Sequence, residues 1–383
     1  MSDGADRTID KLEGLLDELT SKKPVVQAIV AVESGDGSLR WVGTEGVTAS
    51  GEPVVQETPF IIASIDKLYN ATLALMLSEA GRLNLDNPIT AYLPTIITRG
   101  LHRYRGDDLS ERITLWHLLT HTSGLPDWLE DQPNDGPSLV DSILEKGDRA
   151  FTIEEVAAYV RDHLQPHFPS QDLSGKRPKL RYSDTNYMLL IAIIEAVTGQ
   201  PLHEVHQRML YEPLGLKQTY CLGPNRPVPS TREPTPLREA MTLRAAGEPV
   251  NIPMLIASFR GIYSTAGDMI TFMRGLMEGK LLQSPETLAT MMSNWRRFGF
   301  ALDRAALRAP QWPIEYGIGM MRFRMPRLFT FPARVPAVVG HTGSTGCWLF
   351  YCPELDTFLA GSVNEVTAAP VPFKLVPKIL SVI

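Results

Sequence analysis

Hydrophobic and polar positions follow two rhythms along this chain, and the place where one gives way to the other divides it. Ile9, Leu12, Leu15, Leu16 and Leu19 recur at helical spacing among acids, which predicts an amphipathic first helix. Val25 to Val32 and Leu39 to Gly43 are apolar and largely β-branched, and Gly35-Asp36-Gly37 between them predicts a hairpin. Phe60 to Ala63 follows, then a helix predicted from Ser64 to about Ala80, with Leu68, Leu75 and Met76 on its apolar face and Gly81 at its end. So much of that helix is apolar that it reads as a buried central element. Helical patterns then dominate at Ile113 to Thr120, at 153–164, from Met188 to Gly199, after Pro201, and from a Ser264 or Thr265 cap onward. Strands return at Tyr316 to Met320, Ala337 to Gly340, Cys347 to Tyr351 and Thr357 to Val363. Strands at both ends with helices between predict one α/β unit: a sheet from 1–87 and 290–383, a mostly helical lobe from 88–289, and an active site in the cleft.

Irregular stretches punctuate this plan. Residues 125–150, with Asp127, Glu130, Asp131 and Asp135 around Trp128, form a polar acidic segment that reads equally as a lid or a mobile insertion. Residues 165–180 and 222–253, rich in proline, read as loops, the second a long surface one. The balance of 44% hydrophobic and 21% charged residues over 383 positions is that of a globular protein. A net charge of −6 gives no reason to expect nucleic acid or an anionic membrane as partner. Cys221, Cys347 and Cys352 form no disulfide framework, and the last two, five apart on a predicted strand, should face opposite ways. The acidic first twenty residues hold no signal-peptide core, and no apolar stretch reaches membrane-spanning length, so a cytoplasmic location is expected.

The chemistry centres on Ser64, the one serine followed three residues later by a lysine, Lys67. Residues three apart share a helix face, so the hydroxyl and the amine can meet. A hydroxyl needs a base or a strong local field to become a nucleophile, and a desolvated lysine can serve. The start of a buried helix adds free N–H groups that favour developing negative charge. Further along stand Tyr182-Ser183-Asp184 and His341-Thr342-Gly343. In this order the three stretches resemble the serine β-lactamase and penicillin-binding-protein superfamily, above all its class C branch with related esterases, D-peptidases and acyltransferases. Leu83 to Pro88, Leu118 to Leu125, Tyr263 to Asp268 and Tyr316 to Gly319 look like landmarks of the same family, so the resemblance covers about residues 20–365. It implies a central antiparallel sheet flanked by helices plus the helical lobe. It also implies that Ser64 is acylated while Lys67 and Tyr182 share the proton work, and that backbone N–H groups of Ser64 and Ser344 hold the oxyanion beside Gly343.

Two positions depart from the family pattern. Asp184 stands where many relatives carry Asn; a carboxylate there can hold Lys67 charged and leave Tyr182 as the base. His341 stands where lactamases carry Lys, and a mostly neutral side chain is a poor partner for a substrate carboxylate, which argues against efficient β-lactam or peptidoglycan turnover. His117 and His121, four apart, are read as structural rather than as zinc ligands, and His203-Glu204-Val205-His206 as a solvated helix face. Without a Walker-type loop or dinucleotide fingerprint, no cofactor or metal is expected. Trp128 and Trp348 are candidate pocket walls, although Trp348 and Tyr351 should face oppositely. The sequence thus predicts a serine acyl hydrolase acting on a small ester or amide. The alternatives are a transacylase passing the acyl group to an amine or alcohol in a natural-product pathway, and a catalytically silent binding module on the same fold.

Overall fold

The computed structural model describes residues 2–174, 178–221, 238–298, 313–326, 328 and 334–383. Two strands from the N-terminal part, β1 (Ala28–Ser34) and β2 (Arg40–Glu45), meet six from the C-terminal part. These are β3 (Arg296–Arg297), β4 (Ile314–Tyr316), β5 (Met321–Phe323), β6 (Val338–Gly343), β7 (Cys347–Cys352) and β8 (Thr357–Ser362). Together they form an antiparallel sheet in the order β3-β4-β5-β6-β7-β8-β1-β2. The two ends of the chain are joined where β1 pairs with β8, Ala31 opposite Ala360.

Five helices frame the sheet and the site: α1 (Ser2–Thr20), α2 (Asp66–Glu79), α3 (Asp184–Thr198), α4 (Ala266–Met277) and α5 (Val371–Leu380). Because successive strand residues point to opposite faces, the sheet sorts its apolar residues into two cores. Val30, Val32, Trp348, Phe350 and Leu359 pack with Leu12 and Leu16 of α1 and with Val376 and Ile379 of α5. Ile29, Ala31, Cys347, Leu349 and Ala360 belong to the larger core, shared with α2, α3 and α4. Cys347 and Cys352 therefore fall on different faces, and all three cysteines are free and buried. Helix α2 is buried nearly all round, which explains the weak periodicity of its sequence. Thr265, not Ser264, caps α4, its side chain accepting the Asp268 N–H. Among the described residues no single helix is long and apolar enough to cross a membrane.

Several expectations are corrected. The strand predicted over Tyr316 to Met320 is two strands, because Gly317 N–H donates to Met320 O at 2.8 Å and Gly319 sits at φ +62°. The start of the acidic 125–150 segment is packed inside rather than loose: Leu125 and Trp128 are fully buried, and Asp131 pairs with Arg181 and His167. Leu139–Lys146 later in it is a short helix. His206 is buried rather than solvated, its ring between Asn70 and Cys221. Of the predicted 222–253 loop, residues 222–237 lie outside the described residues, and Arg244–Ala245 and Glu248–Pro249 form a small hairpin.

Candidate active site

The short strand Phe60–Ile61 pairs with Ile262–Ser264, and the chain then turns sharply through a single helical turn, Ala63–Ile65, into α2. Ala63 carries φ +44°, a conformation costly for a residue with a Cβ. The turn is held from the other side by the end of β6 and the start of β7. Cys347 Sγ–H donates to Ile62 O at 3.1 Å and Thr345 Oγ1–H to Ile61 O at 3.4 Å. Gly343 faces this turn so closely that a Cβ there would lie 2.8 Å from both Ile62 O and the Ala63 Cβ and would also collide with Cys347 Sγ. The glycine thus brings the strand edge against the backbone that carries Ser64. Ser64 is left half-buried at the head of α2, and Ser344, in the turn after β6, is exposed.

Behind Ser64 lies a dense cluster. Lys67 Nζ donates to Ser64 Oγ at 3.1 Å, lies 2.7 Å from Asp184 Oδ1 and 3.8 Å from Asp66 Oδ1, and its side chain is 4% exposed. Two phenol rings flank the ammonium, Tyr182 at 5.3 Å and Tyr187 at 5.6 Å to their centroids. Burial alone would drive the lysine toward neutrality, but the anion of Asp184, with Tyr182 and Asp66, more than offsets it and holds Lys67 protonated well above its ordinary range. Tyr182 is pushed up by burial, with the Lys67 charge pulling it partly back. Its hydroxyl is buried without a hydrogen bond of standard geometry, and Ser64 and Lys67 lie within its reach.

Asp184 is placed by helix α3, which it begins. Its own N–H donates to Asp127 Oδ2 at 2.8 Å, and Asp127 Oδ1 accepts Leu129 and Glu130 N–H groups. Burial, reinforced by the neighbouring Asp184 and Asp131, raises Asp127 well above the usual carboxylate range. His121, at φ +54°, has its ring 4.4 Å from that of Tyr182. Its Nδ1 accepts the Ser183 N–H, so it buttresses the Tyr182 segment. His341 is fully buried: Nδ1–H donates to Thr342 O at 2.7 Å, which leaves Nε2 to accept the Tyr316 hydroxyl at 3.3 Å. Burial and the Lys67 charge press its pKa to about 3, so the ring is neutral.

The structure therefore gathers Ser64, Lys67, Tyr182, Asp184, His341 and Gly343 in one place, with Ser344 next to Gly343. Trp128 and Trp348 are not brought there. Trp128 is core, its ring among Phe151 and Phe259, and Trp348 points to the α1 side of the sheet, because its partner across the strands is Thr342 and not His341. His117 bonds Thr114 and Gln171, away from His121. Asp66, Tyr187 and Tyr316 also line this cluster and were not among the residues expected there. Asp66 and Tyr187 had a signal, a carboxylate inside a buried helix and a phenol one turn after Asp184; Tyr316 lay in a noted landmark with no assigned role.

The family pattern described as Beta-lactamase matches residues 13–381. Esterase EstB of Burkholderia gladioli is 29% identical over 213 residues, 54% of this chain, and the match spans half of that protein's length. The D-amino acid amidase of Ochrobactrum anthropi SV3, complexed with L-phenylalanine amide, superimposes with a TM-score of 0.71 at 22% identity, over 98% of both chains. EstCE1, described as a hydrolase with promiscuous acyltransferase activity, gives 0.71 at 21% identity over 99% of this chain and 98% of its own.

Proposed function

This chain belongs to the β-lactamase family, and from that premise we propose that it is a serine acyl hydrolase working through an acyl-enzyme on Ser64. One observation carries the reading: Lys67 Nζ stands between Ser64 Oγ at 3.1 Å and Asp184 Oδ1 at 2.7 Å, beneath the Tyr182 ring. The ammonium is pinned, so it orients the serine oxygen and favours the phenolate of Tyr182 rather than acting as the base itself. In the acylation step Ser64 Oγ forms a bond to the carbonyl carbon, its proton passes to the Tyr182 phenolate, and the carbonyl π pair moves onto oxygen. The N–H groups of Ser64 and Ser344 are the proposed donors to that oxyanion. As the tetrahedral centre collapses, Tyr182 returns the proton to the leaving alcohol or amine. Water then repeats the sequence, giving its proton to Tyr182 and freeing the acid and Ser64.

The substrate we favour is a small ester or amide without a carboxylate near the scissile bond. His341, neutral and fully buried, offers it no cation, and the charge of Lys67 is committed to Asp184. Esterase and amidase relatives are consistent with this range. A transacylase is the second reading, supported by the printed acyltransferase activity of EstCE1; it differs only in which nucleophile reaches the acyl carbon first.

The test is intact mass spectrometry of wild type and Ser64→Ala with an activated ester, with and without an amine. An adduct on wild type alone supports Ser64, and faster clearance with amide formation moves the transacylase reading ahead. No adduct and no turnover across a varied ester panel would favour a binding module instead.

A further inference from the structure

Lys67 Nζ donates to Ser64 Oγ at 3.1 Å and makes its closest ion pair with Asp184 Oδ1 at 2.7 Å. A further acceptor facing it is Asp66 Oδ1, 3.8 Å away. That oxygen, like Asp184 Oδ1, is buried without a hydrogen bond of standard geometry, but unlike Asp184 Oδ1 it has no cation at contact distance, an expensive state for a carboxylate unless something uses it. Asp66 is buried at the head of α2, 3.8 Å from the Lys67 ammonium, so it can act on the reaction through that lysine. We propose that Asp66 is a positioning residue: its ionised carboxylate is the alternative seat of the Lys67 ammonium when Ser64 Oγ becomes an ester oxygen and ceases to be a good acceptor. A shift of about an ångström brings the ammonium into hydrogen-bond range of Asp66 Oδ1. The lysine then stays placed over both half-reactions, held always by Asp184 and alternately by Ser64 and Asp66.

The surroundings make the charge of Asp66 a local matter. Facing it are Lys67 of its own helix, Asp184 and Tyr187 of α3, Tyr211 and Cys221 further along the chain, Tyr316 of β4 and Cys347 of β7. Burial raises the three phenols and two thiols above their ordinary values, so each is neutral near pH 7, and only Lys67 and Asp184 carry charge beside it. Burial foremost, and Asp184 after it, push Asp66 up to about 6 against the pull of Lys67. The carboxylate is therefore charged at pH 8 and mostly protonated at pH 5.

This role presupposes that Ser64 is the acylated residue, and the experiment separates the two. Hydrolysis of one activated ester is followed for wild type and Asp66→Asn from pH 5 to 8.5, with the acyl adduct monitored by mass in both. The expected result is a kcat about tenfold lower for Asp66→Asn at pH 8, the loss of roughly one charge-assisted hydrogen bond, with KM within twofold. The ratio of the two rates should fall toward one below pH 6, because the amide imitates the protonated acid. Asp66→Ser, smaller and equally uncharged, should behave alike. A ratio constant across the pH range, or an unchanged kcat with normal adduct formation, overturns the role of Asp66 while Ser64 stands. An absent adduct on wild type overturns both.

Discussion

At the scale of single residues the site works by holding charges where solvent cannot equalise them. On the proposed mechanism Tyr182 has to lose its proton to act, and burial makes that loss harder while Lys67 eases it. Hydrolysis by wild type should accordingly climb with pH from 6 to 10, as the phenolate fraction rises, and Tyr182→Phe should lose roughly 10²–10⁴-fold in kcat while keeping its fold by circular dichroism. Asp66 gives a prediction of opposite sense for stability. Its carboxyl is raised from 3.8 to about 6, so the folded protein keeps a proton that the unfolded chain gives up. Stability from this group is full below the lower value and is lost as pH rises through the upper one, a penalty on the order of 3 kcal/mol at pH 7. Asp66→Asn should thus melt higher than wild type at pH 7 and show no such gain at pH 3.5, read by urea denaturation at both. A variant that is more stable and less active would mark a charge kept for function.

At the scale of elements, the decisive contact is the end of β6 against the turn that carries Ser64. Gly343→Ala would drive a methyl group into Ile62 O, Ala63 and Cys347 Sγ, and the strand edge would have to withdraw. The expected outcome is a kcat/KM reduced by about tenfold or more with the adduct still forming slowly, checked by stopped-flow acylation, because oxyanion donors lose force with small displacements. This scale also shows what sequence can and cannot disclose. The Ser64–Lys67 pair was legible because a short fixed spacing places both on one helix face, and α1, the first hairpin and the last strands were legible from their periods. Asp184 and His341 emerged from ordered motifs far apart in the chain. The break at Gly317 was hidden because an apolar run with glycines reads as one strand until the turn is seen. Trp128 and Trp348 misled for a related reason: large aromatic residues near a motif suit a pocket wall and a core equally, and only the packing of Trp128 against Phe151 and Phe259 and the cross-strand register of Trp348 tell the two apart. Asp127 and Asp131 read as acids of a loop or lid, since nothing local announces Arg181 and His167 as partners of Asp131 or the backbone N–H groups that Asp127 accepts.

At the scale of the whole molecule, the sheet separates two cores of different duty. The core under α1 and α5 reaches the site only at its far edge, through Tyr182 and Tyr316, whereas the larger one seats α2 behind the strand end that faces Ser64. Leu12→Ala, which opens a cavity beneath α1, should cost about 3 kcal/mol in denaturant titration and leave kcat nearly unchanged. The bridge between the same helices, Glu18 to Lys378 at 2.7 Å, is exposed, so Lys378→Ala should shift the denaturation midpoint barely at all. The pairing of β1 with β8 has a consequence for how the protein comes into being. During synthesis the first hairpin emerges well before β8 and has to wait, its inner edge open, until that last strand of the sheet leaves the ribosome. Ser64 and Lys67 emerge early too, but the strand that shapes their surroundings arrives in that same final stretch. On the proposed role of Ser64, a nascent chain therefore carries its nucleophile without the means to fire it, and reactivity toward esters is expected only once β6 has docked against the turn.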